Sequence, residues 1–217
     1  MSGAIAPCPG NWEYEHVVNF NEYLTSRSTR ILQVLRSADN TQKESFATDT
    51  RLLHGALFFG LTPPYFDYYA GHYRGEKFRC LDAYEVQVSG DPRVGHQAVT
   101  VPMEMVQMGL QVGNVVNQLD FHFGVPSKIF SKEDKLLRAI ELAAALFVYF
   151  LEVHPYANGN GHMGRFLLQS LLGRYGLYFN ANFNMHPRPK DPAYTSAISQ
   201  YRNGNKGPLH VLLLNCL

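Results

Sequence analysis

The stretch after Ser131 restricts the fold of this chain more than any other segment. Ser131 and Asp134 have the spacing of a capping box, in which two side chains satisfy free backbone N–H groups at a helix start. From Leu142 to Leu151 every residue is apolar, so this helix has no polar face to turn toward water. The run is also about half of the roughly 20 residues that a membrane span requires. The sequence therefore predicts a central helix surrounded by other helices.

Other helices are expected where apolar residues recur at helical spacing and where proline or glycine marks a helix end. They cover 12–35, 48–59, 102–119, 163–175, 192–203 and a terminal stretch from Gly207. Residues 84–101 differ, because apolar and polar residues alternate on both sides of a turn signal at 90–93. The expected fold class is all-α with one small β-hairpin over 84–101.

Charge and cysteine content exclude several classes of protein. Lys and Arg number 19 against 18 Asp and Glu, with no basic block, so a nucleic-acid partner is not expected. No stretch is expected to enter a membrane, and residues 1–12 lack the pattern of a secretory signal. Cys8, Cys80 and Cys216 are odd in number and far apart, which supports neither a disulfide framework nor a thiolate metal site. A reducing, cytoplasmic setting is expected.

The segment that carries chemistry is 154–165, with the sequence HPYANGNGHMGR. A helix that starts near Asn160 points free N–H groups into the preceding loop, and such a terminus attracts anions. Gly159 and Gly161 let the backbone approach a phosphate closely. Arg165, about one turn into the helix, is suited to bidentate phosphate binding. The pattern predicts a polyphosphate site.

His154 stands where an imidazole could take the proton of a hydroxyl that attacks this phosphate. Two other interpretations remain open. A His-Pro pair at the end of a buried helix can simply pack and cap it, and His154 with His162 could bind zinc, although no third ligand stands nearby in the sequence. Tyr156 is expected to be a core anchor whose hydroxyl needs a partner.

These residues resemble the signature of the Fic (filamentation-induced-by-cAMP) family, HPF-x-[D/E]-GNG-R-x-x-R. The matching positions are His154, Pro155, the aromatic Tyr156, Gly159, Asn160, Gly161 and Arg165. Residues 71–74, with the sequence GHYR, resemble the G-x-[YF]-R element of the same family. The resemblance divides the chain into an N-terminal helical extension, 1–47, and a Fic-like domain, 48–217.

The resemblance implies a helical bundle that acts as a protein adenylyltransferase, a nucleotidyltransferase that moves AMP from ATP to a hydroxyl of a target protein, with Mg²⁺ on the phosphates. It implies that His154 is the general base, that Asn160 and the 159–161 backbone hold the α-phosphate, and that Arg165 binds the terminal phosphate. The target protein would bind along the flap hairpin, 84–101, by strand addition. The alternative is a two-stranded hairpin without a role in binding the target.

Two positions depart from the signature. Asn158 replaces the acidic metal ligand, and a neutral amide loses most of the attraction for Mg²⁺; Asn158 could also be an ordinary turn residue. His162 replaces the first motif arginine and is shorter than guanidinium. Both are expected to line the phosphate site, with metal dependence weakened. The alternative function is a catalytically altered nucleotide-binding regulatory module.

A regulatory element is also suggested by resemblance. Many Fic proteins carry an inhibitory helix of the form [S/T]-x-x-x-E-[G/N], whose glutamate pairs with the last motif arginine. Thr50 and Gly55 match this pattern, and His54 replaces the glutamate. If the helix docks as the resemblance implies, it faces Arg165 without an anion, and self-inhibition through it is lost. The alternative is a chance match on an ordinary amphipathic helix.

Overall fold

Eight α-helices build the part of the chain that the computed structural model describes, residues 6–86 and 91–217. They are α1 (Phe20–Ser37), α2 (Asn40–Thr48), α3 (Arg51–Phe58), α4 (Val101–Gly124), α5 (Lys132–Val153), α6 (Asn160–Gly173), α7 (Ala193–Arg202) and α8 (Gly207–Asn215). Short 3-10 turns occur at Tyr14–His16, Asp67–Tyr69 and Ala98–Thr100. The all-α class is confirmed. Helix α2 was not expected as a separate element, and α1 begins later than the apolar spacing suggests.

Helix α5 is the predicted central helix. Ser131 accepts a hydrogen bond from the Asp134 N–H, and the Asp134 carboxylate accepts one from the Ser131 N–H, so the capping box is confirmed. The helix packs against α4, α6, α7 and α8. Phe147 and Phe150 are fully buried, and burial of each such side chain contributes ~1.5–3 kcal/mol. The core therefore fixes the end of α5, where the motif segment begins.

Helix α6 lies deep in the bundle, with its side chains buried from His162 to Leu172. A Cβ added at Gly164 would lie 2.8 Å from the Phe147 ring of α5, so the two helices approach each other closely at this glycine. This contact lies one position before Arg165. The packing of α5 against α6 therefore fixes the loop that joins them and the arginine that follows it.

The β-hairpin expected over 84–101 is not seen: the described residues of this range contain no strand, and 87–90 lie outside the described residues. Residues 98–100 form a 3-10 turn and Val101 opens α4. The backbone N–H groups of Gly95 and His96 donate to the Glu152 and Val153 carbonyls at the end of α5, at 2.8 and 3.3 Å. Their partner is therefore a helix end instead of a second strand.

Cys8 and Cys80 form a disulfide across 72 positions of the sequence, so the expectation of no disulfide is wrong. Spacing alone does not reveal a pair that only the fold brings together. Cys216 is free and buried. The cytoplasmic setting, which depended on that expectation, stays a prediction. No helix among the described residues combines the length and the apolar character needed to cross a bilayer.

Candidate functional site

A cavity of about 850 Å³ opens where α5 ends and α6 begins. The motif residues that line it are His154, Asn158, Gly159, Asn160, Gly161, His162 and Arg165. Tyr14, from the segment before α1, and His186, from the segment before α7, border the same space. The structure therefore brings the predicted catalytic and phosphate-binding residues to one cavity.

His154 follows α5 directly and has a left-handed backbone, with φ of +54°. Few residues other than glycine adopt this conformation, and it often marks functional positions. The imidazole Nδ1 lies 3.2 Å from the Leu151 carbonyl, an acceptor, so Nδ1 carries the hydrogen and Nε2 is the basic nitrogen. Burial, and next the charges of Arg74 and Arg202, lower the pKa of His154 to about 4. The ring is neutral at pH 7 and able to accept a proton.

Arg74, which sequence analysis named only as part of a resembling element, holds the end of α5 in place. Its fully buried guanidinium donates to the carbonyls of His154 and Val153 at 2.9 and 3.1 Å, and to those of His96 and Tyr84 at 3.0 Å each. A cation at a helix C-terminus is favoured by the helix dipole. Arg74 thereby fixes the backbone of His154 and takes up carbonyl groups that a hairpin would have used.

The loop before α6 has the geometry of an anion site. Gly159 has φ of +82°, and a Cβ added there would lie 2.3 Å from the Phe58 ring, so only glycine fits. The backbone N–H groups of Asn160 and Gly161, the first of α6, have no hydrogen-bond partner within the described part of the chain. Free N–H groups at a helix start attract anions by hydrogen bonding and by the helix dipole.

The side chain of Asn160 braces this loop. Its Oδ1 accepts from the Tyr156 N–H and its Nδ2 donates to the Tyr156 carbonyl, both at 2.8 Å. The side chain is only 2% exposed, so the amide closes a ring within the loop and does not face the cavity with free polar atoms. The contact with an α-phosphate predicted for Asn160 is thereby left to its backbone N–H.

Arg165 is a buried cation without an ionic partner among the described residues. Its Nε and Nη2 donate to the Met185 carbonyl at 3.2 and 2.7 Å. A Cβ added at Gly161 would lie 3.3 Å from Nη1, so the guanidinium stands beside the first turn of α6. A buried charge is costly unless an opposite charge meets it. Arg165 and the free N–H groups therefore border the same anion-binding site.

His162 belongs to a chain of hydrogen bonds that sequence analysis missed. His186 Nε2 lies 3.0 Å from Asn21 Oδ1, an acceptor, so His186 donates there and its Nδ1 accepts from His162 Nε2–H at 3.1 Å. Burial, followed by the charge of Arg165, lowers the pKa of both imidazoles. Both rings are neutral at pH 7, so His162 adds no charge where the signature has arginine. No sequence signal singled out His186.

Asn158 is held on both sides of its amide. Nδ2 donates to the Trp12 carbonyl and Oδ1 accepts from the Gly159 N–H, both at 2.6 Å. Both polar atoms of the amide are therefore engaged by the protein. Across the described ranges, no three His, Cys, Asp or Glu side chains come together as a metal site. The zinc interpretation of His154 and His162 therefore has no third protein ligand.

Helix α3 packs against the motif loop, and among the described residues His54 makes no hydrogen bond to Arg165, while the regulatory role expected for Thr50, His54 and Gly55 stays a prediction. His54 Nδ1 accepts from the Gly71 N–H at 2.9 Å, and Nε2 donates to the Asn158 carbonyl at 3.0 Å. Full burial lowers the pKa of His54 to about 3, so the ring is neutral.

The remaining contacts of α3 are also internal. Thr50 Oγ1 lies 2.8 Å from the Tyr156 hydroxyl, and the His54 ring stacks on the Tyr156 ring with centroids 3.7 Å apart. Gly55 lies against Gly71, since a Cβ added at Gly55 would be 3.8 Å from the Gly71 Cα. Tyr156 is the core anchor expected, with Thr50 as its partner. The sequence of this helix matches the inhibitory pattern, whereas its contacts support the motif loop.

Comparisons with known proteins agree with this geometry. Residues 48–172, more than half of the chain, match the model of the Fic/DOC family. No curated protein matches this chain.

Solved structures share the fold. The BepC protein of Bartonella tribocorum, a VirB-translocated Bartonella effector with bound AMPPNP, has a TM-score of 0.60 at 18% identity, covering 91% of this chain and 85% of that one. The N-terminal Fic domain of the Bartonella effector protein Bep from Bartonella sp. AR 15-3, a substrate of the VirB T4SS, has a TM-score of 0.57 at 13% identity, covering 89% of this chain and 80% of that one. At these identities, the similarity establishes a common fold.

Proposed function

Because this chain belongs to the Fic/DOC family, whose members transfer nucleotide or phosphoryl groups to proteins, we propose that it transfers AMP from ATP to a hydroxyl side chain of a target protein. The observation that carries the proposal is Arg165, a buried cation beside two free N–H groups and without a carboxylate partner in the described residues. A phosphate chain supplies the missing negative charge. That one of the solved structures of this fold holds AMPPNP is consistent with a nucleotide donor.

The reaction requires one proton acceptor and one anion cradle. The target hydroxyl attacks the α-phosphorus, the bond from that phosphorus to the bridging oxygen of the β-phosphate breaks, and pyrophosphate leaves with the bond's electrons. His154 Nε2 takes the hydroxyl proton, which its neutral state at pH 7 permits. The N–H groups of Asn160 and Gly161 stabilise charge on the α-phosphate, and Arg165 holds the departing phosphates.

The motif loop of this chain, 154–165, offers Mg²⁺ no carboxylate. Mg²⁺ prefers carboxylate and phosphate oxygens, whereas the amide oxygen of Asn158 already accepts the Gly159 N–H. Of the two carboxylates that border the cavity, Asp91 is paired with Arg93 and Arg202, and Glu15 is exposed and lies outside the motif loop. The mechanism therefore contains no step through a metal held by the protein.

The target segment is proposed to approach along residues 91–97. Asp91 and Val94 border the cavity, so a hydroxyl presented there is next to His154. Strand addition is not part of the proposal, because the N–H groups of Gly95 and His96 are already bonded to the end of α5.

A second candidate function is a nucleotide-binding regulatory module without turnover. Asn158 favours it, because an amide stands where the signature has a carboxylate and is engaged by Trp12 and Gly159.

Labelled ATP separates the two candidates. We expect label from the α-phosphate, but not from the γ-phosphate, to become bound to protein in a lysate supplemented with the purified chain. His122→Ala, a change at a half-buried histidine of α4 that does not line the cavity, is the matched control for His154→Ala. Saturable ATP binding without bound label in any condition would support the regulatory module and contradict the transferase.

A further inference from the structure

The segment before α1 runs along the phosphate site. We call residues 8–16 the N-terminal strap. Its first residue, Cys8, is joined to Cys80 by the disulfide. Trp12 is only 3% exposed, its indole N–H donates to the Leu61 carbonyl at 2.8 Å, and its backbone N–H donates to the Tyr84 hydroxyl at 2.9 Å. The strap is therefore attached at one end by a covalent bond and in its middle by a buried side chain.

The strap contacts the motif loop at one polar point. The Trp12 carbonyl accepts a hydrogen bond from Asn158 Nδ2 at 2.6 Å, which turns Asn158 Oδ1 toward the Gly159 N–H. Two residues later, Tyr14 borders the cavity, and its ring lies 6.4 Å from that of His162. Residues outside the signature thus fix the conformation of the loop that presents the free N–H groups of α6.

We propose that Trp12 is a positioning residue for the phosphate site, acting through Asn158, and that the disulfide between Cys8 and Cys80 keeps it in place. The inference rests on the proposed function for the identity of the ligand, a diphosphate group. With the disulfide closed, the loop before α6 is held in the binding conformation, and less free energy is lost in ordering it when the anion binds. With the disulfide open, the loop must be ordered on binding.

The disulfide is accessible to a reductant, since Cys8 is exposed and Cys80 is half-buried. The reductant is an external dithiol. One of its thiolates attacks a sulfur of the disulfide and forms a mixed disulfide, which its second thiol resolves. Two electrons and two protons pass to the protein, giving two cysteine thiols, and the reagent leaves as a cyclic disulfide. Cys216 is not part of this exchange.

Trp12 is the only tryptophan of the chain, so tryptophan fluorescence reports on the strap. Reduction with a dithiol should shift the fluorescence of Trp12 to longer wavelength and make it more accessible to a neutral quencher. Cys8→Ser should give the same spectrum without reductant, and Cys216→Ser should respond as the wild type does. Far-UV circular dichroism checks that the helices remain.

The deciding measurement is calorimetric titration with inorganic pyrophosphate, in the oxidised and reduced states of the wild type and of Asn158→Ala. We expect reduction to weaken binding by the wild type about tenfold, the order of one net hydrogen bond. In Asn158→Ala, both states should bind weakly and equally, because the link to the strap is already lost.

Other outcomes would overturn the inference in distinguishable ways. Equal or tighter binding after reduction of the wild type would show that the strap does not position the site. An equal loss on reduction in the wild type and in Asn158→Ala would show that the strap acts without Asn158. No binding by the oxidised wild type would contradict the phosphate site itself, and with it the proposed function.

Discussion

The two sides of the motif loop differ in how their polar groups are satisfied. Among the groups that support the loop, the side chains of Asn160 and His54 have both of their polar atoms bonded to protein. The Tyr156 hydroxyl has Thr50 as its partner. On the cavity side, Arg165 has no carboxylate partner in the residues described, and the first N–H groups of α6 are free.

This contrast distinguishes the residues that stabilise the loop from the residues that bind the anion. Native proteins rarely leave buried polar groups without partners, so a group that lacks one faces a ligand or a functional need. Changes to the groups that support the loop should therefore affect stability first. Changes on the cavity side should affect binding and turnover first, and the largest of these concerns the proton acceptor.

His154→Ala should lower the rate of AMP transfer by roughly 10²–10⁴, since removal of a general base has effects of that size. The folded state and ATP affinity should change little. Transfer rates at saturating ATP, with His122→Ala as the matched control, test this. A transfer rate equal to that of the wild type would remove His154 from the mechanism.

His54→Glu should lower the free energy of unfolding by about 3–5 kcal/mol, because it buries a carboxylate where a neutral ring bonds Gly71 and Asn158. His122→Glu, at a half-buried ring of α4 that stacks on Phe130, should lower it by less than His54→Glu does. Urea unfolding compares them. If His54→Glu were as stable as the wild type and instead weakened ATP binding, α3 would be an inhibitory helix after all.

Asn160→Ala should lower the free energy of unfolding by about 1–3 kcal/mol, because the Tyr156 N–H and carbonyl lose their partner inside the protein. ATP affinity, measured under conditions where the variant is folded, should fall less than it does when Arg165 is replaced. A variant of unchanged stability that has lost ATP binding would move the Asn160 side chain from the supporting side to the binding side.

The smallest effect expected is a pH dependence. The pKa of His54 is about 3 in the folded protein and ordinarily 6.5, so the unfolded chain binds the extra proton first as pH falls. The stability this contributes is full above pH 6.5 and is lost toward pH 3, with about 1 kcal/mol lost between pH 6.5 and 5.5. The free energy of unfolding, measured with urea at several pH values, should fall less steeply with falling pH in His54→Gln, and identical slopes would mean that His54 takes up its proton at the same pH in the folded and unfolded chains.

Local features predicted the central helix and the loop before α6 because their causes lie within a few residues. Ser131 and Asp134 cap α5, and Gly159 must be glycine for its backbone angle and for Phe58. The hairpin expected over 84–101 is not seen in the described residues of that range, and the alternation there does not reveal Arg74, whose guanidinium bonds the Tyr84 and His96 carbonyls.

At the site, too, contacts between residues far apart in the sequence were not predicted. The strap, the disulfide and His186 come from segments far from the motif in sequence, so only the folded chain brings them to it. The pattern of Thr50, His54 and Gly55 matched an inhibitory helix, although Thr50 and His54 bond to the motif loop. Sequence spacing predicted which residues meet in the cavity, and it did not predict which of them retain free polar groups.

The central claim is that Arg165 is a buried cation kept for a phosphate group. Calorimetric titration with ATP of Arg165→Met against Arg138→Met, a change at a half-buried arginine of α5 paired with Glu141, tests it most directly. Loss of a charged hydrogen bond should cost Arg165→Met about 1.5–3 kcal/mol of binding free energy, or roughly 10- to 150-fold in affinity, while Arg138→Met binds as the wild type does. Equal affinity in all three proteins would contradict the account.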